Sequence, residues 1–170
     1  KNVNLNTMKN IYIIILFPAF MFGQIKQINT TLFSSNNNSI GSHSSLESDL
    51  LNAISFHNTI RNYQLNPVLN NDYDLSLSAQ QWANTIIRTG KFDFDPSVPA
   101  YIGENLYRGE ISDANNILNY DPYLDAALYW ATNRTGDGIS YQNMCLQEFV
   151  SIGMGVAYGN GKVVVVAKYE

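Results

Sequence analysis

Apolar positions along the chain follow helical spacing in three stretches and then give way to β-branched runs. Leu46, Leu50, Leu51, Ile54 and Ile60 recur at helical spacing behind Ser44 and Glu47, an S-x-x-E capping pattern. They predict a first helix over about 46–63. Leu75, Ala79, Trp82, Ala83 and Ile86 form a second helical stripe, with Asp72 or Asp74 as cap, Arg88 in the last turn and Gly90 just beyond it. Asp121 and Pro122 open a third helix, carried by Leu124, Ala127, Leu128 and Ala131 to about Asn133. Between the second and third helices, residues 91–100 (KFDFDPSVPA) read as a loop, and 103–107 (GENLY) as a short segment, polar in its middle. The period then changes. Residues 149–158 and 162–169 are β-branched or aromatic-rich and are joined by Gly159-Asn160-Gly161, a hairpin signal. Helices followed by a hairpin indicate an α+β layered domain, and no internal repeat is visible.

The beginning of the chain follows other rules. The first Met is Met8, so residues 1–7 are read as upstream of the start. Residues 8–23 carry Lys9 and the run IYIIILFPAFMF, too short to span a membrane and typical of a signal peptide. Residues 24–45 are rich in Ser, Asn and Thr and read as a flexible leader, which leaves 46–170 as the folded domain. The expected location is therefore extracellular, with no stable membrane insertion. Export exposes three N-x-S/T sequons, at Asn29, Asn37 and Asn133, as glycosylation candidates.

Composition narrows the chemistry. The chain has 170 residues, 45% hydrophobic and only 14% charged, with ten Lys and Arg against fourteen Asp and Glu. A net charge of −4 gives no basic field for nucleic acid. Cys145 is the single cysteine, so no intramolecular disulfide forms, and its setting MCLQEFV reads as a buried, inert thiol. The two histidines are His43, in the leader, and His57, in the first helix four residues before Arg61. A catalytic triad or a Cys-His pair would need His57 as its base, and zinc would find few nitrogen or sulfur donors.

FHNTIRN at 56–62, NPVLNNDYDLSLSAQQWAN after it, GENLY at 103–107, ALYWATN at 127–133 and MCLQEFVSIGMGVAYGNGKVVVVAKY at the end are five pieces in order along 46–169, and together they resemble the CAP superfamily, also called SCP/TAPS or the cysteine-rich secretory, antigen 5 and pathogenesis-related-1 family. FHNTIRN carries an H-N-x-x-R pattern on His57, Asn58 and Arg61. The stretch NPVLNNDYDLSLSAQQWAN resembles the family's P-x-L…L…A-Q-x-W-A and includes Trp82. GENLY matches the family motif at Gly103, Glu104 and Asn105. ALYWATN resembles a W-Y-x-E helix, and residues 144–169, from MCLQEF on, resemble G-H-F-T-Q-V-V-W followed by the closing strands. The resemblance implies a three-layer α-β-α sandwich around a short central antiparallel sheet, of the kind expanded as venom allergen-like proteins in parasitic worms.

Many members hold two His and two Glu in a central cleft that binds zinc or another divalent ion. Of these four, the resemblance carries over only Glu104. The first His falls in the stretch Phe92 to Asp95, the second Glu on Asn133 and the second His on Met144, with Gln147 keeping the family's Gln. Imidazole and carboxylate are thus replaced by weaker ligands, and no metal or other cofactor is expected. Glu104 reads as a structural acceptor, with a calcium-type cluster with Asp93 and Asp95 as the lesser alternative.

The leading expectation is a secreted, non-enzymatic binding protein whose partners are host or other extracellular proteins, or a lipid or sterol. Two alternatives are a serine-type hydrolase, using Ser151 or Ser140 with His57, and an antimicrobial protein that sequesters sterol.

Overall fold

The computed structural model describes residues 44–111, 120–132 and 138–170. The segments read as signal peptide and leader up to residue 43, and Asn29, Asn37 and Asn133, lie outside the described residues. Four helices and four strands follow in chain order: α1 (Ser44–Tyr63), β1 (Asn70–Asn71), α2 (Tyr73–Thr89), β2 (Gly103–Glu110), α3 (Pro122–Thr132), α4 (Ile139–Cys145), β3 (Ser151–Gly159) and β4 (Lys162–Tyr169).

The strands form one sheet in the order β1-β3-β4-β2. The hairpin β3–β4 turns at Asn160 and Gly161, both with positive φ as a tight hairpin turn demands. β2 pairs antiparallel with β4 along its whole length, from Gly103 opposite Tyr169 to Glu110 opposite Lys162. The sheet is mixed, because two-residue β1 runs parallel to the start of β3.

Helix α2 covers one face of the sheet. Asp72 caps it by accepting from the Leu75 amide at 2.8 Å, and Gly90 ends it at φ 73°. Its stripe of Ala79, Ala83 and Ile86 packs on Ala157, Val164 and Val166. The approach is close because β3 carries Gly153 and Gly155 beneath it: a Cβ at either would land on α2 backbone, at Ser76 or at Gln80. Gln80 also holds the outer edge of β3, its amide donating to the Val156 carbonyl at 2.6 Å and accepting from the Val156 amide at 3.0 Å.

The opposite face is covered by α3 and α4, with α1 packed against them. Trp130 of α3 is fully buried and donates to the Leu106 carbonyl on β2 at 3.0 Å. Two helical layers around a sheet give the α+β sandwich that the chain pattern and the resemblance imply. Among the described residues no helix is long and apolar enough to cross a membrane.

Candidate functional site

Strand register brings Glu104 of β2 opposite Lys168 of β4. Lys168 follows the run of four valines and Ala167, is 1% exposed, and points its ammonium toward the α2 side of the sheet. There Nζ donates to Asp95 Oδ2 at 2.7 Å and to Ser78 Oγ at 2.8 Å, and stands 4.0 Å from Glu104 Oε1. The other Glu104 oxygen accepts from the Asp95 amide at 2.8 Å. Oε1 itself is buried and has no hydrogen-bond partner among the described residues.

The two carboxylates respond differently to this shared cation. Burial is the largest influence on Glu104 and pushes its pKa up, against the Asp95 amide and the Lys168 charge. Burial would also raise Asp95, but hydrogen bonds from Lys168 and from the Ser97 hydroxyl and amide outweigh it, and its pKa falls. The pair thus offers little to a divalent ion. An ammonium already sits against both carboxylates, and a dication would have to enter beside a fixed positive charge. Among the described residues no three His, Cys, Asp or Glu side chains come together as metal ligands. Asp93, the third member of the alternative calcium cluster, is exposed, with Oδ1 accepting from the Phe94 amide.

On the other face of the sheet the family-type residues form a sealed network. His57 is fully buried. Its Nδ1 lies 2.8 Å from the Ala53 carbonyl, which can only accept, so that nitrogen carries the proton. Nε2 then accepts from the Tyr169 phenol at 3.0 Å. Tyr169 in turn accepts from Asn105 Nδ2 at 3.1 Å, and the same amide donates to the Ser140 carbonyl. Burial, offset in part by the Ala53 bond and reinforced by the Arg61 charge, lowers the His57 pKa to about 4. Neither Ser140 nor Ser151 can use this imidazole as a base, since both of its nitrogens are engaged and it has no access to solvent.

Arg61, one helical turn on, is likewise fully buried and has no carboxylate partner among the described residues. It donates instead to four carbonyls, those of Pro67, Met144, Leu146 and Phe149, at 2.6–3.0 Å. It therefore braces both the turn after α1 and the end of α4. Asn58 clamps the Leu69 backbone at both its amide and its carbonyl, and Trp82 donates to the Asp93 carbonyl. Gly103 lies under the Phe149 ring, where a side chain would collide. Met144 is buried inside α4, whereas Gln147 is exposed on the turn that follows. Cys145 is half-buried rather than buried, so the fully sealed thiol expected from its apolar neighbours is corrected.

Sequence reasoning singled out Glu104 but missed Lys168, Ser78 and Tyr169, and gave Asp95 only a minor role. A lysine at an inward position of a valine-rich strand was the available signal for the cluster. A buried charge needs a buried partner, and the facing register position is Glu104.

The fold is shared with solved structures at low identity. BmVAL-1 aligns at 19% identity and TM-score 0.59, covering 72% of this chain and 76% of its own. Hookworm Platelet Inhibitor aligns at 17% identity and TM-score 0.54, covering 79% and 73%. NaASP2 with Zn2+ aligns at 17% identity and TM-score 0.57, covering 79% and 82%. No curated protein sequence matches. The model of the cysteine-rich secretory protein family, CAP, matches residues 54–169, and the chain belongs to that family.

Proposed function

We propose that the protein is a secreted, non-enzymatic CAP-domain module that binds host or other extracellular proteins and holds no metal at Glu104. The observation that carries this reading is Leu65. It is a leucine held at φ 59°, a left-handed backbone that costs a branched side chain about 1–2 kcal/mol, and it is 90% exposed. Its turn is fixed by Asn66, whose amide nitrogen donates to the Arg61 carbonyl and whose side chain donates to the Cys145 carbonyl. Tyr63 and Val68 expose more than half of their surface in the same stretch. The left-handed residue ends α1, with the Leu65 and Asn66 amides donating to the Asn62 and Arg61 carbonyls, and it leaves an exposed apolar side chain that suits recognition. The closed hydrogen bonds of His57 support a role without catalysis, and the apolar run at 11–22 supports export. Hookworm Platelet Inhibitor is by its name an inhibitor in the same fold, which fits a binding role.

The test is a pair of measurements on the chain purified from culture medium. Sensor-chip titration against plasma proteins and collagen is expected to give saturable binding that Leu65→Gly weakens about tenfold. Turnover of a peptide library that His57→Gln abolishes would overturn the non-enzymatic reading. Binding unmoved by Leu65→Gly would remove the turn from it.

A further inference from the structure

The buried group of Lys168, Asp95 and Glu104 has no part in the binding turn at Leu65. We propose that Lys168 and Asp95 join in an isopeptide bond, which the folded chain forms by itself with Glu104 as the proton carrier. Such a bond ties the 91–102 stretch to β4. It closes a loop of 73 residues in a chain whose single cysteine can close none.

The reacting atoms are already neighbours. Lys168 Nζ donates to Asp95 Oδ2 at 2.7 Å, which by ordinary carboxylate geometry sets it roughly 3.5 Å from Cγ, within reach of attack. Ser78 Oγ accepts from the same nitrogen at 2.8 Å and fixes its direction. The three side chains are 1%, 9% and 6% exposed for Lys168, Asp95 and Glu104, so water does not compete with the amine. Asp95 Oδ1 accepts from the Ser97 amide at 3.0 Å and from its hydroxyl at 2.7 Å, two donors aimed at the oxygen on which charge would build. Glu104 is held alongside by Oε2, which accepts from the Asp95 amide at 2.8 Å. Its Oε1 stands 4.0 Å from Nζ, buried and without a hydrogen-bond partner among the described residues. Residue 96 is proline, whose nitrogen carries no hydrogen. The ring closure that commonly consumes an activated aspartate, attack by the next amide nitrogen, is therefore blocked.

The step is a condensation and needs no oxidant or reductant. A proton passes from Nζ to Oδ2 along their hydrogen bond, giving an amine and a carboxylic acid, a pair that costs less in a buried site than in water. The nitrogen lone pair forms the Nζ–Cγ bond, and the carbonyl electrons move onto Oδ1 between the two Ser97 donors. Glu104 Oε1 takes a second proton from the nitrogen and delivers it to the Oδ2 hydroxyl. The Cγ–Oδ2 bond breaks, one water leaves, and Oδ1 returns to a carbonyl. One ammonium and one carboxylate thus become one amide and one water, with Glu104 unchanged. The water has an exit, since Lys168, Ser78 and Ser97 line an open cleft of about 330 Å3.

The experiment is tryptic digestion of the denatured full chain, read by mass spectrometry. Trypsin does not cleave after an acylated lysine. A branched peptide should therefore join residues 92–108 to the peptide that starts at Val163 and reads through Lys168. It should be lighter than the two together by one water, with fragmentation placing the branch on Asp95. Glu104→Gln keeps an acceptor for the Asp95 amide and should cut the bonded fraction at least about tenfold, with circular dichroism as the check on folding. Ser97→Ala, at an exposed position, removes one donor to Oδ1 and should slow bond formation about tenfold even where the Glu104 variant does not fold. Two linear peptides from natural chain incubated for days at neutral pH would overturn the proposal, as would a branch on Asp93 or Glu104, or a bonding rate unmoved by both variants. Leu65→Gly leaves the branch in place, so this site and the protein-binding turn can fail separately.

Discussion

Tyr169 and His57 meet 3.0 Å apart, 112 residues separated in sequence, with the phenol donating and the imidazole accepting. That bond requires a neutral His57, and the folded pKa of about 4 against an ordinary 6.5 says the same.

A pH dependence follows with a definite sign. The unfolded chain takes up the proton that the folded chain refuses, so the stability due to neutral His57 is complete above about pH 6.5. It is lost as pH falls toward 4, amounting to about 3 kcal/mol across that window. Urea midpoints measured at pH 7 and pH 4.5 should fall more for the natural chain than for His57→Gln. Equal falls would contradict the assignment.

Asp121 acts in the opposite sense. It caps α3 through Oδ1, accepting from the Leu124 amide at 2.9 Å, while Oδ2 is buried with no hydrogen bond among the described residues. Burial, with Asp49 and Asp125 nearby, raises its pKa to about 7. A raised folded pKa means that the favourable contribution is full below the ordinary 3.8 and lost as pH climbs through 7. Asp121→Asn keeps a good cap and removes the charge. The variant should match the natural chain near pH 4 and exceed it at pH 8 by about 1–2 kcal/mol, after allowance for partial solvent screening. Thermal melts at the two pH values decide this.

Two glycines should respond in different degrees. Gly155→Ala drives a methyl into the α2 backbone at Gln80 and Ala79, where nothing flexible can give way, and should cost about 2–4 kcal/mol or prevent folding. Gly90→Ala meets nothing within 4 Å and carries only the left-handed strain, about 1 kcal/mol. Comparison of denaturant midpoints tests the order; a milder effect at Gly155 would mean that α2 can lift from the sheet.

Much of this architecture was legible in the chain because local signals agreed with tertiary packing. The α2 stripe, its Asp72 cap and its Gly90 stop lie where the pattern put them, and the hairpin turns at Asn160 and Gly161. β2 was harder to read. Its Glu104 and Asn105 interrupt any apolar alternation, and the strand exists because β4 offers a full-length partner. Helix α4 is short and has no side-chain cap, so it depends on carbonyl contacts from Arg61, a residue more than 80 positions away in sequence. The Lys168 cluster was obscure for the same reason: Ser78, Asp95 and Glu104 lie 64–90 positions from the lysine, and only strand register and the closeness of α2 bring them together.

The clamp of Gln80 on Val156 has a bearing on how the sheet edge is protected. An open strand edge is a template on which a second molecule can add, and small exported domains often guard against this with cystine crosslinks, which a lone Cys145 cannot supply within one molecule. A carboxamide borrowed from the overlying helix imitates the next strand for one residue and takes both of the Val156 main-chain groups that a recruit would need. One step of the open edge is thus closed from a helix, by a glutamine whose part in the sheet nothing in its local sequence announces.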